Sequence, residues 1–146
     1  MRKKQLEKLL ATMELNKLLA EFMDIEVMEG IGHGGIKYYY YNDAEMQDYE
    51  GLTNYSSCYG SLMKVLEKVG SIPNFLYPNG VFKFLTHINI EVGTKRVVIK
   101  ILLKCNRDDN FPDICYHKGT LQENIFNACV DFVKWYNLNK DGFNRN

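Results

Sequence analysis

Gly30 to Gly35 read GIGHGG, a formal match to the G-x-G-x-x-G pattern that cradles phosphates. That chemistry needs a strand before the glycines and a helix after them, so that backbone N–H groups converge on a pyrophosphate. Here a helical stretch and a short connector precede the glycines, and Lys37–Tyr41 follows as a strand. The segment therefore reads as a turn whose glycines allow positive φ, with His33 exposed on it. Cys115 and His117 are two apart, which on a strand points both to one face, and Cys105 adds a third zinc-type donor. A structural zinc site shows two close ligand pairs, and only one pair is present. Asp108, Asp109, Asn110 and Asp113 have the composition of a calcium loop without its glycine and terminal Glu, and Pro112 interrupts them. No GxSxG occurs, and no Cys sits among local residues that would lower its pKa. His87 stands alone among Lys83, Asn89 and Glu91. The expectation is a non-enzymatic chain with no cofactor and no metal site.

The most one-sided charge in the chain follows the tyrosine strand. Between Lys37 and Lys64 there is no Lys or Arg, while Asp43, Glu45, Asp48 and Glu50 are all present. Tyr38, Tyr40 and Tyr49 lie in or beside the same run. Tyrosine is favoured at interfaces, and a patch of one sign steers encounter with the opposite sign. Tyr38, Tyr40, Asp43, Glu45, Asp48, Tyr49 and Glu50 are accordingly the predicted partner-binding residues, and the expected partner is a protein with a basic surface. The alternative is a small ligand or nucleic acid held on a basic strand face formed by Lys83, Arg96, Lys100 and Lys104.

These residues must be positioned by a fold, and composition bounds it. The chain has 46% hydrophobic and 25% charged residues, the globular average, and 18 basic residues balance 18 acidic ones. Neutrality argues against generic, phosphate-driven nucleic-acid binding. At 146 residues a single domain over 1–146 is expected, burying roughly 70% of the unfolded surface. Residues 1–5 are expected to fray and 141–146 to form a disordered tail. The four cysteines form no disulfide framework. The opening MRKKQLEKLLATMELNK makes a poor signal peptide, and no apolar run approaches the roughly 20 residues of a membrane span. A soluble, cytoplasmic protein without membrane contact is the expectation.

Periodicity then places the elements. Leu6, Leu9, Leu10 and Met13 make one helical stripe and Leu15, Leu18, Leu19 and Phe22 a second, giving a helix from about Lys4 to Met23 with a bend near Asn16. A second helix is expected to start at Ser56 or Ser57 as N-cap, to bury Leu62, Val65, Leu66 and Val69, and to stop at Gly70. Phe82 to Val92 alternates as a strand, Gly93-Thr94 turns, and Arg96 to Lys104 returns with Val97, Ile99 and Ile101 on one face. Asp113 to His117 reads as a last short strand. Thr120 with Glu123 fits a capping box, opening a helix that carries Leu121, Ile125, Ala128, Cys129, Phe132 and Tyr136 inward. The predicted class is α+β, an antiparallel sheet on the Phe82–Lys104 hairpin with three main helices packed on it.

Three segments carry a family resemblance. Asn16–Glu26 reads NKLLAEFMDIE, Tyr55–Val69 reads YSSCYGSLMKVLEKV, and Ala128–Lys140 reads ACVDFVKWYNLNK. Together they resemble the phage α/β/α sandwich domain family, small proteins of phages, prophages and gut-bacterial genomes. Members often carry Gly-Trp after AEFM, where this chain has Asp24-Ile25, and Trp after the paired serines, where it has Cys58-Tyr59. The resemblance implies helices on both sheet faces and a phage or mobile-element accessory role. Its expected partner is a host protein, such as a basic nucleic-acid-binding effector of a defence system that the protein would inhibit.

Overall fold

The computed structural model describes residues 2–41, 54–72, 84–103 and 113–143. Its elements run α1 (Arg2–Phe22), β1 (Val27–Ile31), β2 (Lys37–Tyr41), α2 (Tyr59–Ser71), β3 (Phe84–Glu91), β4 (Arg96–Leu103), β5 (Asp113–Tyr116) and α3 (Leu121–Phe143). The class is α+β, with two antiparallel sheets, β1–β2 and β3–β4–β5.

The three-stranded sheet follows its alternation. Ile88 lies opposite Ile99 and Ile90 opposite Val97, while Ile114 extends the Ile99 row and Tyr116 the Val97 row. These side chains belong to the core with Ile101, and α2 packs on β3 while α3 packs on β4 and β5. Both helices thus cover the same sheet face. A helix on the opposite face, as an α/β/α sandwich has, is not found among the described residues. Gly70 does not end α2. It lies inside the last turn, and a Cβ there would come 3.3 Å from Ile88 Cδ1, so the glycine lets α2 lie close on β3.

α3 is the centre of the core. Ile125, Ala128, Cys129, Phe132 and Val133 are almost wholly buried, and the Phe132 ring lies 6.4 Å from Phe22, 5.9 Å from Trp135 and 6.3 Å from Tyr136. Thr120 Oγ1 accepts the Glu123 N–H at 3.1 Å, the expected N-cap bond. Asn124 is buried in the first turn. Its amide donates to the Lys95 and Gly119 carbonyls at 2.7 and 3.3 Å, and its oxygen accepts the Gly119 N–H at 3.0 Å. It ties the β3–β4 turn, where Lys95 adopts φ 59°, to the start of the helix.

Several boundaries differ from expectation. α1 is helical from Arg2, continues through Asn16, and α3 runs to Phe143. Within α1 only the second stripe is buried: Leu19, Ala20 and Phe22 join the core, whereas Leu9 stays 56% exposed. α1 packs on α3 and on the β1–β2 hairpin, while the sheet's helix contacts come mainly from α2 and α3. The helix ends in a Schellman arrangement: Ile25 N–H reaches the Ala20 carbonyl, Asp24 N–H the Glu21 carbonyl, and Asp24 takes φ 60°. α2 starts with Cys58 as N-cap, not with a serine, and makes no side-chain cap bond. The reason is Asn54, whose Oδ1 takes the Ser56 N–H at 3.2 Å and whose carbonyl takes the Ser57 and Cys58 N–H groups, winding 54–58 into a separate turn. Val92 is exposed in the turn instead of continuing β3 inward.

Candidate functional site

The connector expected before the glycines is strand β1, so GIGHGG is the tip of a hairpin. Val27 pairs with Tyr41, Glu29 with Tyr39, Gly30 with Tyr38 and Ile31 with Lys37. A strand before the glycines but another strand after them offers no helix N-terminus to a phosphate. Successive side chains alternate between faces, so Val27, Glu29, Tyr39 and Tyr41 share one side, and Met28, Tyr38 and Tyr40 the other.

The first side is anchored on α1. Tyr39 is buried, and its hydroxyl donates a short hydrogen bond to Glu14. Lys17 Nζ lies 5.0 Å from the Tyr39 ring centroid and 3.4 Å from Glu29, with Glu21 at 3.7 Å. Burial alone lowers the Lys17 pKa, but the bond to Glu29 and the charges of Glu21, Glu29 and Glu14 outweigh it and leave the ammonium above its ordinary value. Tyr39 is pushed up to about 12 by burial and then by the Glu14 carboxylate it bonds. Tyr55, beside Tyr41, is raised by burial and then by that neighbouring phenol.

The second side faces away from α1. Tyr38 lies across the cross-strand glycine: a Cβ at Gly30 would overlap the Tyr38 Cζ and Oη atoms. The hydroxyl end of the ring therefore lies against the β1 backbone at Gly30 while the residue remains 44% exposed. Tyr40 stands beside it, with ring centroids 5.7 Å apart and planes 35° from each other. Ile36 and Ile31 are exposed near the tip, Ile31 at 77%. Of the predicted partner-binding residues, Tyr38 and Tyr40 are brought together on this side. Asp43, Glu45, Asp48, Tyr49 and Glu50 lie outside the described residues.

The basic strand face is electrically balanced where it is described. Arg96 stands opposite Glu91, and Lys100 lies between His87 and Asp113 in register. Lys83 and Lys104 lie outside the described residues. Cys115 and His117 line a cavity of about 390 Å³ with Glu123 and Asn124. Even so, no group of three His, Cys, Asp or Glu among the described residues is placed to hold a metal ion. Cys105 lies outside them.

A larger cleft of about 420 Å³ opens at the C-terminal ends of α1 and α2. Lys68 fills its chemistry: the ammonium donates to the Phe22 carbonyl and to Asp24 Oδ2 at 3.0 Å, and lies 4.8 Å from the Phe22 ring centroid. Lys68 thus satisfies a helix C-terminus where the dipole favours a cation. Cys58 is exposed at the start of α2, its thiol donates to Ser61 Oγ at 3.2 Å, and hydrogen bonding with the Ser61 side chain and backbone pulls it below its ordinary value. Buried Cys129 is pushed up to about 12. Among the described residues no helix is long and apolar enough to cross a membrane. Compared with protein-family models, with curated proteins and with solved structures, the chain has no significant match.

Proposed function

We propose that this chain is a non-enzymatic binding module that engages a basic protein partner through the outward side of the β1–β2 hairpin and the acidic sequence that follows it. One observation carries the reading: Tyr38 packs its hydroxyl end against Gly30 while remaining 44% exposed, with Tyr40 at its side, at the head of a sequence holding four carboxylates and no base before Lys64. A ring backed by main chain is already ordered, so a partner gains its contact area at little cost in side-chain freedom. The acidic sequence adds attraction at a distance for a basic surface, which speeds encounter and excludes acidic competitors. A host protein that handles nucleic acid has such a surface, and occupying it in place of phosphates is the action the charge suits. Inhibition of a nucleic-acid-based defence, in the manner of a phage or mobile-element accessory protein, is the biological form this reading takes.

The test compares two variants with the parent in pull-downs from host lysate, with captured proteins identified by mass. Changing Asp43, Glu45, Asp48 and Glu50 to Lys should abolish capture of basic proteins, and Tyr38→Ser with Tyr40→Ser should weaken it by about tenfold or more, as expected when interface aromatics are lost. Equal capture by all three proteins would remove this surface from the account.

A further inference from the structure

We propose that β5 is a self-association edge: two copies of this chain pair their β5 strands antiparallel about Cys115 and join two three-stranded sheets into one. The surface is separate from the hairpin and does not depend on the binding reading above. Among the described residues β5 pairs on one side only, with β4. A strand with one unpaired side presents a row of N–H and C=O groups that another strand can take up.

A cavity keeps this edge open. The space of about 390 Å³ is bordered by Cys115 and Tyr116 together, and by Glu123 and Asn127 of α3. Cys115 and Tyr116 point to opposite faces of the sheet, so a space touching both runs past the edge of the strand. No described residue of β4 borders it. The strand itself is fixed from below. Ile114 is buried in the core, and the Tyr116 hydroxyl donates to Asp131 on α3. An edge already held in extended form loses little freedom when a second strand is added.

Charge selects the occupant. The strand begins at Asp113 and is followed at once by His117 and Lys118, all three exposed. Among the described residues none of the three takes part in an ion pair. Antiparallel pairing centred on Cys115 sets Ile114 opposite Tyr116 of the second copy. It sets Asp113 opposite the second copy's His117, with Lys118 one residue beyond. Acid thus meets base at both ends, and the two-fold axis repeats the match. Parallel addition in the same register would instead set Asp113 against Asp113. Charges on an edge strand ordinarily keep other strands away, and here they admit the strand's own copy in one direction. Four paired residues make a small interface, so the association is weak and shows at high concentration.

The test is sedimentation equilibrium of the full chain under reducing conditions, from about 10 μM to about 1 mM, where the mass should rise toward two copies and no further. Asp113→Lys and Lys118→Asp each bring like charges together twice in the pair, and each should weaken association by about tenfold. Combining them reverses both ends and should return the affinity to within about threefold of the parent, a rescue that a merely damaged fold would not give. Cys115 reports the register. Directly opposed residues of antiparallel strands have Cα atoms about 4.5–5.5 Å apart, within reach of a disulfide. With Cys58 and Cys105 changed to Ser, and Cys129 buried, diamide should link two copies through Cys115, and Asp113→Lys should slow that linkage. A chain that stays monomeric at about 1 mM, a double variant no tighter than the single ones, or associated protein that diamide does not link through Cys115 would overturn the pairing.

Discussion

The β3–β4–β5 sheet meets α3 through Val97, Ile99, Ile114, Ile125 and Phe132, which carry no polar side-chain atom and are at most 4% exposed. The β1–β2 hairpin meets α1 largely through Tyr39, Glu14, Lys17 and Glu29, by a hydrogen bond, ion pairs and a ring under a cation, with Val27 packed at the edge of the core. Burying apolar surface stabilises by about 25 cal/mol for each Å² and does not depend on direction. A polar attachment contributes less net free energy because water competes for the same groups, but it fixes orientation. The first region holds the molecule together. The second is held in a defined pose while Tyr38, on its other side, remains 44% exposed. The difference suggests where recognition can sit without endangering the fold.

The largest expected effect comes from attacking the first region at its centre. Phe132 is fully buried and touches the rings of Phe22, Trp135 and Tyr136. Phe132→Ala should cost about 3–5 kcal/mol, the range for removing a buried ring and leaving its cavity. Trp135 is the chain's one tryptophan, so its fluorescence in a urea titration follows this region. A loss below about 1 kcal/mol would mean the core is not organised around α3.

A polar residue inside the same region sets the next step. Asn124 is buried with three hydrogen bonds, two of them to the Gly119 backbone and one to the Lys95 carbonyl. Asn124→Ala strands the Gly119 N–H and two carbonyls, for a cost of about 1–3 kcal/mol. The same urea titration measures it. An unchanged midpoint would show that the turn holds without this clasp.

Much of the first region was legible in the amino-acid order, because its signals are local. The spacing of Ile125, Cys129, Phe132 and Tyr136 with Thr120 before it defines α3, and the alternation through Ile88, Ile90, Val97 and Ile99 defines β3 and β4. The second region was less so. β1 is five residues with a glycine inside, a pattern that depresses strand propensity, and only its pairing with β2 explains why Gly30 is there. Tyr38–Tyr41 announces a strand but four identical residues cannot say which ring turns inward; that choice was made by Glu14 and Lys17 on a helix some 25 residues earlier. The start of α2 was displaced from the serines by Asn54, which binds the backbone that a serine cap would have used. The stripe Leu6–Leu9 has helical spacing without burial, since periodicity reports that a face is apolar and not whether anything covers it.

The smallest effect is also the most discriminating, because the two regions each hold one phenol on a carboxylate. Tyr39 bonds Glu14 on the hairpin, and Tyr116 bonds Asp131 where β5 meets α3. Burial first, and then the bonded carboxylate, pushes each phenol up to about 12 from an ordinary value of 10. A folded state that holds a proton more tightly than the unfolded chain gains its full benefit below pH 10 and loses it as pH rises toward 12. Both Tyr39→Phe and Tyr116→Phe keep the ring and remove only the donor, at a cost of about 1 kcal/mol near pH 8. They should differ in where that cost appears. Tyr116→Phe should lower the urea midpoint followed by Trp135 at pH 8 and flatten its decline between pH 10 and 12, with Cys129, whose thiol burial also pushes up to about 12, contributing equally to parent and variant. Tyr39→Phe should leave that midpoint within about 0.5 kcal/mol and instead speed hydrogen exchange at the β1 and β2 amides, since a unit held by polar contacts can open without the core. If Tyr39→Phe moved the Trp135 transition as far as Tyr116→Phe does, the hairpin would be part of one cooperative body with the core, and the separation between the part that folds and the part that recognises would have to be given up.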